Sequence, residues 1–173
     1  AISAREEGRK ATVFVAKRKL PHARTLEALR AGAKIVQVPN GYLSNVQAKA
    51  RAYALKVGAR LLPFGLDTPE FSEAMSAAAL ALPIKPREVW TVAGSGTLSR
   101  ALQRAWPAAE FFAVRVGAQG DAGKASVMQA PERFEHDARE PPPFPSCSNY
   151  DAKAWAFMRK HAKRGALFWN VAA

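Results

Sequence analysis

Val92-Ala93-Gly94-Ser95-Gly96-Thr97-Leu98-Ser99 is the stretch on which the reading of this chain turns. It closes a stretch that reads as a strand, Glu88–Ala93, and opens a helical pattern over residues 97–106, so it reads as a strand–turn–helix junction. Glycines let the backbone turn sharply and approach a ligand closely, while the first amides of the next helix point at the same spot. The helix dipole and the Ser95 and Thr97 hydroxyls add to this, so the segment predicts an anion site suited to phosphate. The plainer alternative is a tight turn whose glycines serve geometry alone.

Working outward, strands and helices alternate. Upstream, Thr12–Ala16 is a short β-branched strand, residues 22–31 a helix closed by Gly32, and residues 33–38 a second strand ending at Pro39-Asn40-Gly41. Residues 42–57 carry Val46, Ala50, Tyr53 and Val57 at helical spacing before Gly58. Residues 60–64 read as a third strand. Asp67 or Thr68 caps a further helix with Pro69 in its first turn, running to about Leu82, where Pro83 and Pro86 break it. Downstream, residues 109–116 are a strand, and residues 117–145 a long loop with one short strand at Ser126–Gln129. Residues 151–163 form a helix and residues 166–171 a last strand. The expectation is one α/β unit over residues 1–173, an open, mostly parallel sheet with helices on both faces. No fixed-period repeat argues for a solenoid. A loop as long as 117–145 usually has a functional reason.

Composition narrows the function. Apolar residues make up 49% of the 173, enough for a sizeable core, and no apolar run reaches the ~18 residues of a membrane span. One cysteine, Cys147, rules out a disulfide framework, and with no signal peptide visible the default compartment is the cytoplasm. Lysine and arginine total 26 against 14 acidic residues, a net +12, which calls for an anionic partner: a phosphate-bearing cofactor, an acidic metabolite or nucleic acid. The chain opens on Ala1 with what reads as the last turns of a helix ending at Gly8, so a segment is expected upstream.

Other candidates weigh less. A dinucleotide fingerprint wants a third glycine or alanine where Ser99 stands, and an acid near the end of the next strand, where Arg115 stands. A Walker loop is excluded because no Gly-Lys-Ser/Thr follows. His22, His136 and His161 lack metal-ligand spacing, so no metal site is expected. Cys147 has no assignable helper and reads as a buried thiol, and the mixed charges of residues 132–137 read as solvated surface. Arg9-Lys10, Lys17-Arg18-Lys19, Arg159-Lys160 and Lys163-Arg164 form either a solvated basic face or a nucleic-acid patch; no zinc-finger or RNA-recognition signature accompanies them.

Gly58-Ala59-Arg60-Leu61-Leu62-Pro63-Phe64-Gly65 followed by Gly94-Ser95-Gly96-Thr97 resembles the second half of a fold-type II pyridoxal-phosphate enzyme (tryptophan synthase β-like). The similarity is greatest to the aminocyclopropane-carboxylate deaminase and D-cysteine desulfhydrase branch. Residues 143–155 and 167–171 resemble small phage and bacterial proteins labelled pyridoxal-phosphate-dependent. The resemblance implies a pyridoxal 5′-phosphate cofactor, with its phosphate held by Gly94, Ser95, Gly96, Thr97 and Leu98. Asn170, with Ser146 or Ser148 behind it, would meet the pyridine nitrogen. Gly65, Asn40 in the Asn40-Gly41-Tyr42 turn, Ser148 and Tyr150 would border a small amino-acid-like substrate undergoing elimination or deamination, in a chain that can form a homodimer. In that family the lysine that carries the cofactor lies upstream of the matched segment, so no catalytic residue is assigned here; Lys17 and Lys19 read as solvated charges. Two other readings stay open: a catalytically inactive phosphate-ligand-binding relative, and a nucleic-acid-binding or nucleic-acid-modifying protein.

Overall fold

A computed structural model describes residues 1–39, 42–117 and 119–171. Its contacts divide the chain into two compact units, Ala1–Leu62 and Pro63–Ala173.

The first unit contains α1 (Ile2–Glu6), β1 (Thr12–Ala16), α2 (Ala23–Arg30), β2 (Lys34–Val38) and α3 (Leu43–Val57). Its two strands pair in parallel from Thr12↔Lys34 to Ala16↔Val38. The His22 ring caps α2 by accepting from the Arg24 amide at 3.2 Å. Gly58, at φ 64°, closes α3 in the left-handed conformation that a side chain would resist. Phe14 of β1 packs on Tyr53 of α3 with ring centroids 5.4 Å apart, so these aromatics hold α3 against the sheet.

The second unit holds α4 (Pro69–Leu80), β3 (Glu88–Ala93), α5 (Thr97–Ala105), β4 (Glu110–Arg115), β5 (Ser126–Gln129), α6 (Trp155–His161) and β6 (Leu167–Phe168). Single 3-10 turns occupy Phe64–Leu66 and Asp151–Ala154. All four strands are parallel in the order β5-β4-β3-β6. β3 is central, and every one of its residues is buried, the apolar ones and also Glu88 and Thr91; Glu88 Oε1 accepts from Trp90 Nε1 at 2.6 Å and from the Lys163 amide at 3.0 Å. Alternate residues face opposite sides. Val89 and Phe111 join Ala79 of α4 and Leu102, Ala105 and Trp106 at α5. Trp90, Val92 and Val114 join Ala154 and Met158 on the α6 side. The α/β architecture with parallel sheets flanked by helices is therefore present, its strands distributed over two sheets.

Three local expectations are corrected. Residues 60–64 are not a strand: they are exposed and end in the 3-10 turn at Phe64, and Pro63 has no amide to give to a ladder. The expected helix over 151–163 begins as a 3-10 turn and ends at His161. The last strand is shorter than expected because beyond Trp169, whose amide still reaches Trp90 O at 3.0 Å, the chain turns to the proline-rich stretch. There Asn170 Nδ2 donates to Pro145 O at 2.7 Å. The long loop is held down by Phe144, edge-on to Trp155 at 5.5 Å, and by Phe134, edge-on to Tyr150 at 6.3 Å.

Candidate functional site

The glycine loop lies at the C-terminal end of β3, where open parallel sheets place their ligands. Gly96 is the N-cap of α5 at φ 81°, and the first intrahelical bond runs from Arg100 N to Gly96 O at 3.1 Å. The amides of Thr97, Leu98 and Ser99 thus precede the helical ladder and point toward the loop. Ser95 Oγ and Thr97 Oγ1 lie 3.0 Å apart, and Thr97 N donates to Ser95 Oγ at 3.4 Å. Leu98 turns its side chain into the core beside Leu102 and contributes only its backbone.

Three glycines bring other segments against this loop. A Cβ on Gly65, which has φ 70°, would run into Ser95 Oγ and stand 3.3 Å from Thr97 Oγ1. A Cβ on Gly120 would meet the Ser95 carbonyl, and one on Gly96 the Asp121 carbonyl. On the fourth side Tyr150 approaches: a Cβ on Gly94 would sit 3.0 Å from its hydroxyl, and the Gly94 amide hydrogen-bonds the phenol oxygen. Burial is the main cause that raises the Tyr150 pKa; the Gly94 amide opposes it, and the Asp151 charge adds to it. The phenol therefore stays protonated well past neutrality, beside the loop.

A cleft of about 580 Å³ opens over the loop, lined by Phe64, Asp67, Ser95, Arg100, Gly120 and Asp121. Arg100 spans it. One guanidinium nitrogen donates to Asp67 Oδ1 at 2.6 Å, and the other to the carbonyls of Asp121 and, at 3.5 Å, Ser95. Behind it, Gln103 Nε2 and Ser99 Oγ both donate to Ala122 O, at 2.7 and 3.0 Å, and the Lys124 amide donates to Gln103 Oε1 at 2.9 Å. Residues 120–124 are thereby strapped to α5. Arg100, Asp121 and Gln103 escaped the sequence reading, and Asp67 entered it only as a candidate helix cap. Arg100 alone left a signal, as a cation one helical turn beyond the glycine loop.

Of the residues singled out from sequence, Gly65, Gly94, Ser95, Gly96, Thr97, Leu98 and Tyr150 come together. Asn170 has Ser146 beside it, its Oδ1 accepting from Ser146 Oγ at 2.9 Å, and its amide is bonded to Pro145 O. The β3–β6 register pairs Trp90 with Phe168, and Asn170 lies two residues beyond the end of β6. Ser148 turns to Asp137, donating to Oδ1 at 2.7 Å. Asn40, with Gly41, lies outside the described residues. No group of three or more histidine, cysteine or acidic side chains suited to a metal occurs among the described residues.

The donor set fits a phosphate monoester: three leading amides, two hydroxyls 3.0 Å apart, and a wall at Gly65 that tolerates no side chain. The Asp67 and Asp121 carboxylates nearby are offset in part by the Arg100 guanidinium. The lysines of this unit whose ammonium groups have assigned hydrogen bonds are directed elsewhere. Lys124 bonds Pro107 O, Lys153 bonds Arg133 O at 2.7 Å, and Lys163 bonds Glu110 Oε2 at 2.8 Å.

No protein-family model matches this chain, and no curated protein sequence does either. Solved structures do. An ACC deaminase homologue superposes on 98% of the chain with a TM-score of 0.78 at 12% identity, the chain covering 68% of that protein. The processed form of threonine deaminase isoform 2 from Solanum lycopersicum aligns over 66% of the chain and 35% of its own length, with a TM-score of 0.53 and 14% identity. Serine racemase from Dictyostelium discoideum aligns over 66% and 39%, at 0.51 and 16%. The fold is that of fold-type II: parallel α/β sheets flanked by helices, shared with the ACC deaminase homologue, the threonine deaminase and the serine racemase.

Proposed function

We propose that this chain is a pyridoxal-phosphate-enzyme-like protein whose Pro63–Ala173 unit grips the cofactor's phosphate, and which acts on a small amino acid or amino-acid-like group by elimination or deamination. The observation that carries the reading is the Gly94–Thr97 loop at the end of β3, walled by Gly65, within a fold shared with the ACC deaminase homologue. The amides of Thr97, Leu98 and Ser99 with the two hydroxyls bind the phosphate. Arg100 keeps the Asp67 and Asp121 segments closed over the cleft. Tyr150, neutral and anchored on Gly94, offers a proton at its hydroxyl oxygen and orients a substrate bound beside the loop. When bound, the cofactor supplies electron withdrawal from the carbon whose bond is broken.

A second reading, a phosphate-ligand-binding relative without catalysis, is favoured by one observation: Lys124, Lys153 and Lys163 bond other groups. One experiment separates the two. The purified chain is titrated with pyridoxal phosphate by absorbance and fluorescence, then treated with borohydride and peptide-mapped. Saturable binding, weakened at least tenfold in T97A and fixed on one lysine, supports the enzyme reading. Binding without fixation supports the second. Failure to bind removes the phosphate assignment from the loop.

A further inference from the structure

The charge of this protein is distributed very unevenly between its two units. Ala1–Leu62 holds 13 lysines and arginines against three acidic residues, an excess of ten; Pro63–Ala173 holds 13 against 11, an excess of two. All thirteen cations of the first unit are exposed. Glu7 pairs with Arg9 at 3.3 Å and Glu27 with Arg24 at 3.0 Å, but three carboxylates cannot neutralise thirteen cations. The α3 helix contributes Lys49, Arg51 and Lys56 and has no acid at all; Lys49 and Lys56, seven apart, share one face.

Topology concentrates this charge. β1 and β2 are parallel, so both strands end at the same edge. Lys17, Arg18 and Lys19 leave the sheet there, with the Lys17 amide bonded to Val38 O at 2.7 Å. The N-termini of α2 and α3 follow at the same edge, adding the positive ends of two helix dipoles. Tyr42, the N-cap of α3, stands there 86% exposed. The opposite edge carries Arg30, Lys34, Lys56 and Arg60. A small anion needs one focus of donors. Cations along both edges and a connecting helix suit instead a polymer with a charge every ~3.4 Å of strand.

We propose that the Ala1–Leu62 unit binds single-stranded nucleic acid, its phosphodiester backbone tracking Lys17, Arg18, Lys19 and the basic α3 face while a base stacks on Tyr42. An exposed aromatic beside a basic track is the arrangement that holds unpaired bases, because every base has a face to stack. This assignment is independent of the phosphate loop in the other unit.

The test is fluorescence anisotropy of a labelled single-stranded oligonucleotide of about 20 nucleotides, titrated with the full chain between about 50 and 300 mM NaCl. The expected logarithmic salt slope is about −2 to −4, from three to five phosphate contacts at about 0.7 each. K17E/R18E/K19E weakens binding on the order of 100-fold and flattens the slope by about 2. Y42A weakens it about tenfold at unchanged slope. R159E/K160E, in the other unit, stays within about twofold. Circular dichroism checks each variant, and should the triple variant fail to fold, K49Q/K56Q reads the same surface. A salt-insensitive isotherm, or a loss in R159E/K160E equal to that in the basic-cluster variants, overturns the proposal. So does binding to vesicles containing 30% phosphatidylserine (about one anionic lipid in three) with none to the oligonucleotide, which would identify a membrane surface instead. Tighter binding of duplex than single strand overturns the stacking role of Tyr42.

Discussion

At the scale of single residues, the site depends on places where a side chain cannot be added. Gly65, Gly96 and Gly165 all have positive φ, at 70°, 81° and 84°, yet only the first two are crowded. A Cβ on Gly165 meets nothing within 4 Å, so G165A carries only the backbone penalty, about 1 kcal/mol. G96A adds a collision with the Asp121 carbonyl and G65A one with Ser95 Oγ, so each is expected to cost about 2–4 kcal/mol in urea unfolding. G65A should also abolish phosphate-ester binding. Equal losses in all three variants would mean that the loop is not tightly enclosed.

Tyr150 gives the second prediction at this scale. Burial raises its pKa in the folded chain, so the folded state holds its proton more firmly than the unfolded state. Its contribution is complete below the ordinary tyrosine pKa and is lost as pH rises through the folded value. Alkaline titration at the phenolate band should show a late component that is missing in Y150F. Stability measured across the same alkaline range should fall less steeply in Y150F than in the parent.

Among elements, legibility followed local signals. Of Asp67 and Thr68, the two candidate caps, Thr68 accepts from the Phe71 amide at 3.2 Å, and Pro69 opens α4. β3 was readable from Val89, Trp90, Val92 and Ala93 before the glycine turn, and α5 from the glycines before it and Pro107 after it. Residues 60–64 looked as apolar as β3 but gained no ladder, because strand formation depends on a neighbour that the local sequence does not contain. The Arg100 clamp was hidden for the same reason: Asp67 and Asp121 lie 33 and 21 residues from it and meet only through the fold. A double-mutant cycle on R100M and D67N should give a coupling of about 1 kcal/mol or less, since the Asp67 side chain is 51% exposed. R100M should nonetheless speed amide exchange in residues 120–124. Unchanged exchange there would show that Gln103 and Ser99 hold the strap unaided.

For the whole molecule, the +12 visible in the sequence said that an anion was wanted but not where. Where the excess lies shows only with the division at Leu62. The partition has a consequence for stability. Ten excess positive charges on 62 residues repel one another, and salt weakens that repulsion, whereas an excess of two on the remaining residues leaves little to screen. The first unit is also the less well supported, with a sheet of only two strands against four in the second. Raising NaCl from about 0.05 to 0.5 M, where the Debye length shrinks from about 14 to about 4 Å, should therefore slow amide exchange in β1, β2 and α3 several-fold. Exchange in β3 and β4 should change little, because their cohesion comes from buried apolar packing around Val89, Trp90 and Phe111. A single-stranded oligonucleotide at low salt should reproduce the protection of the first unit without added NaCl, since phosphates then take the place of screening ions. Equal salt responses in both units would show that the charge partition has no energetic weight, whatever the sequence arithmetic.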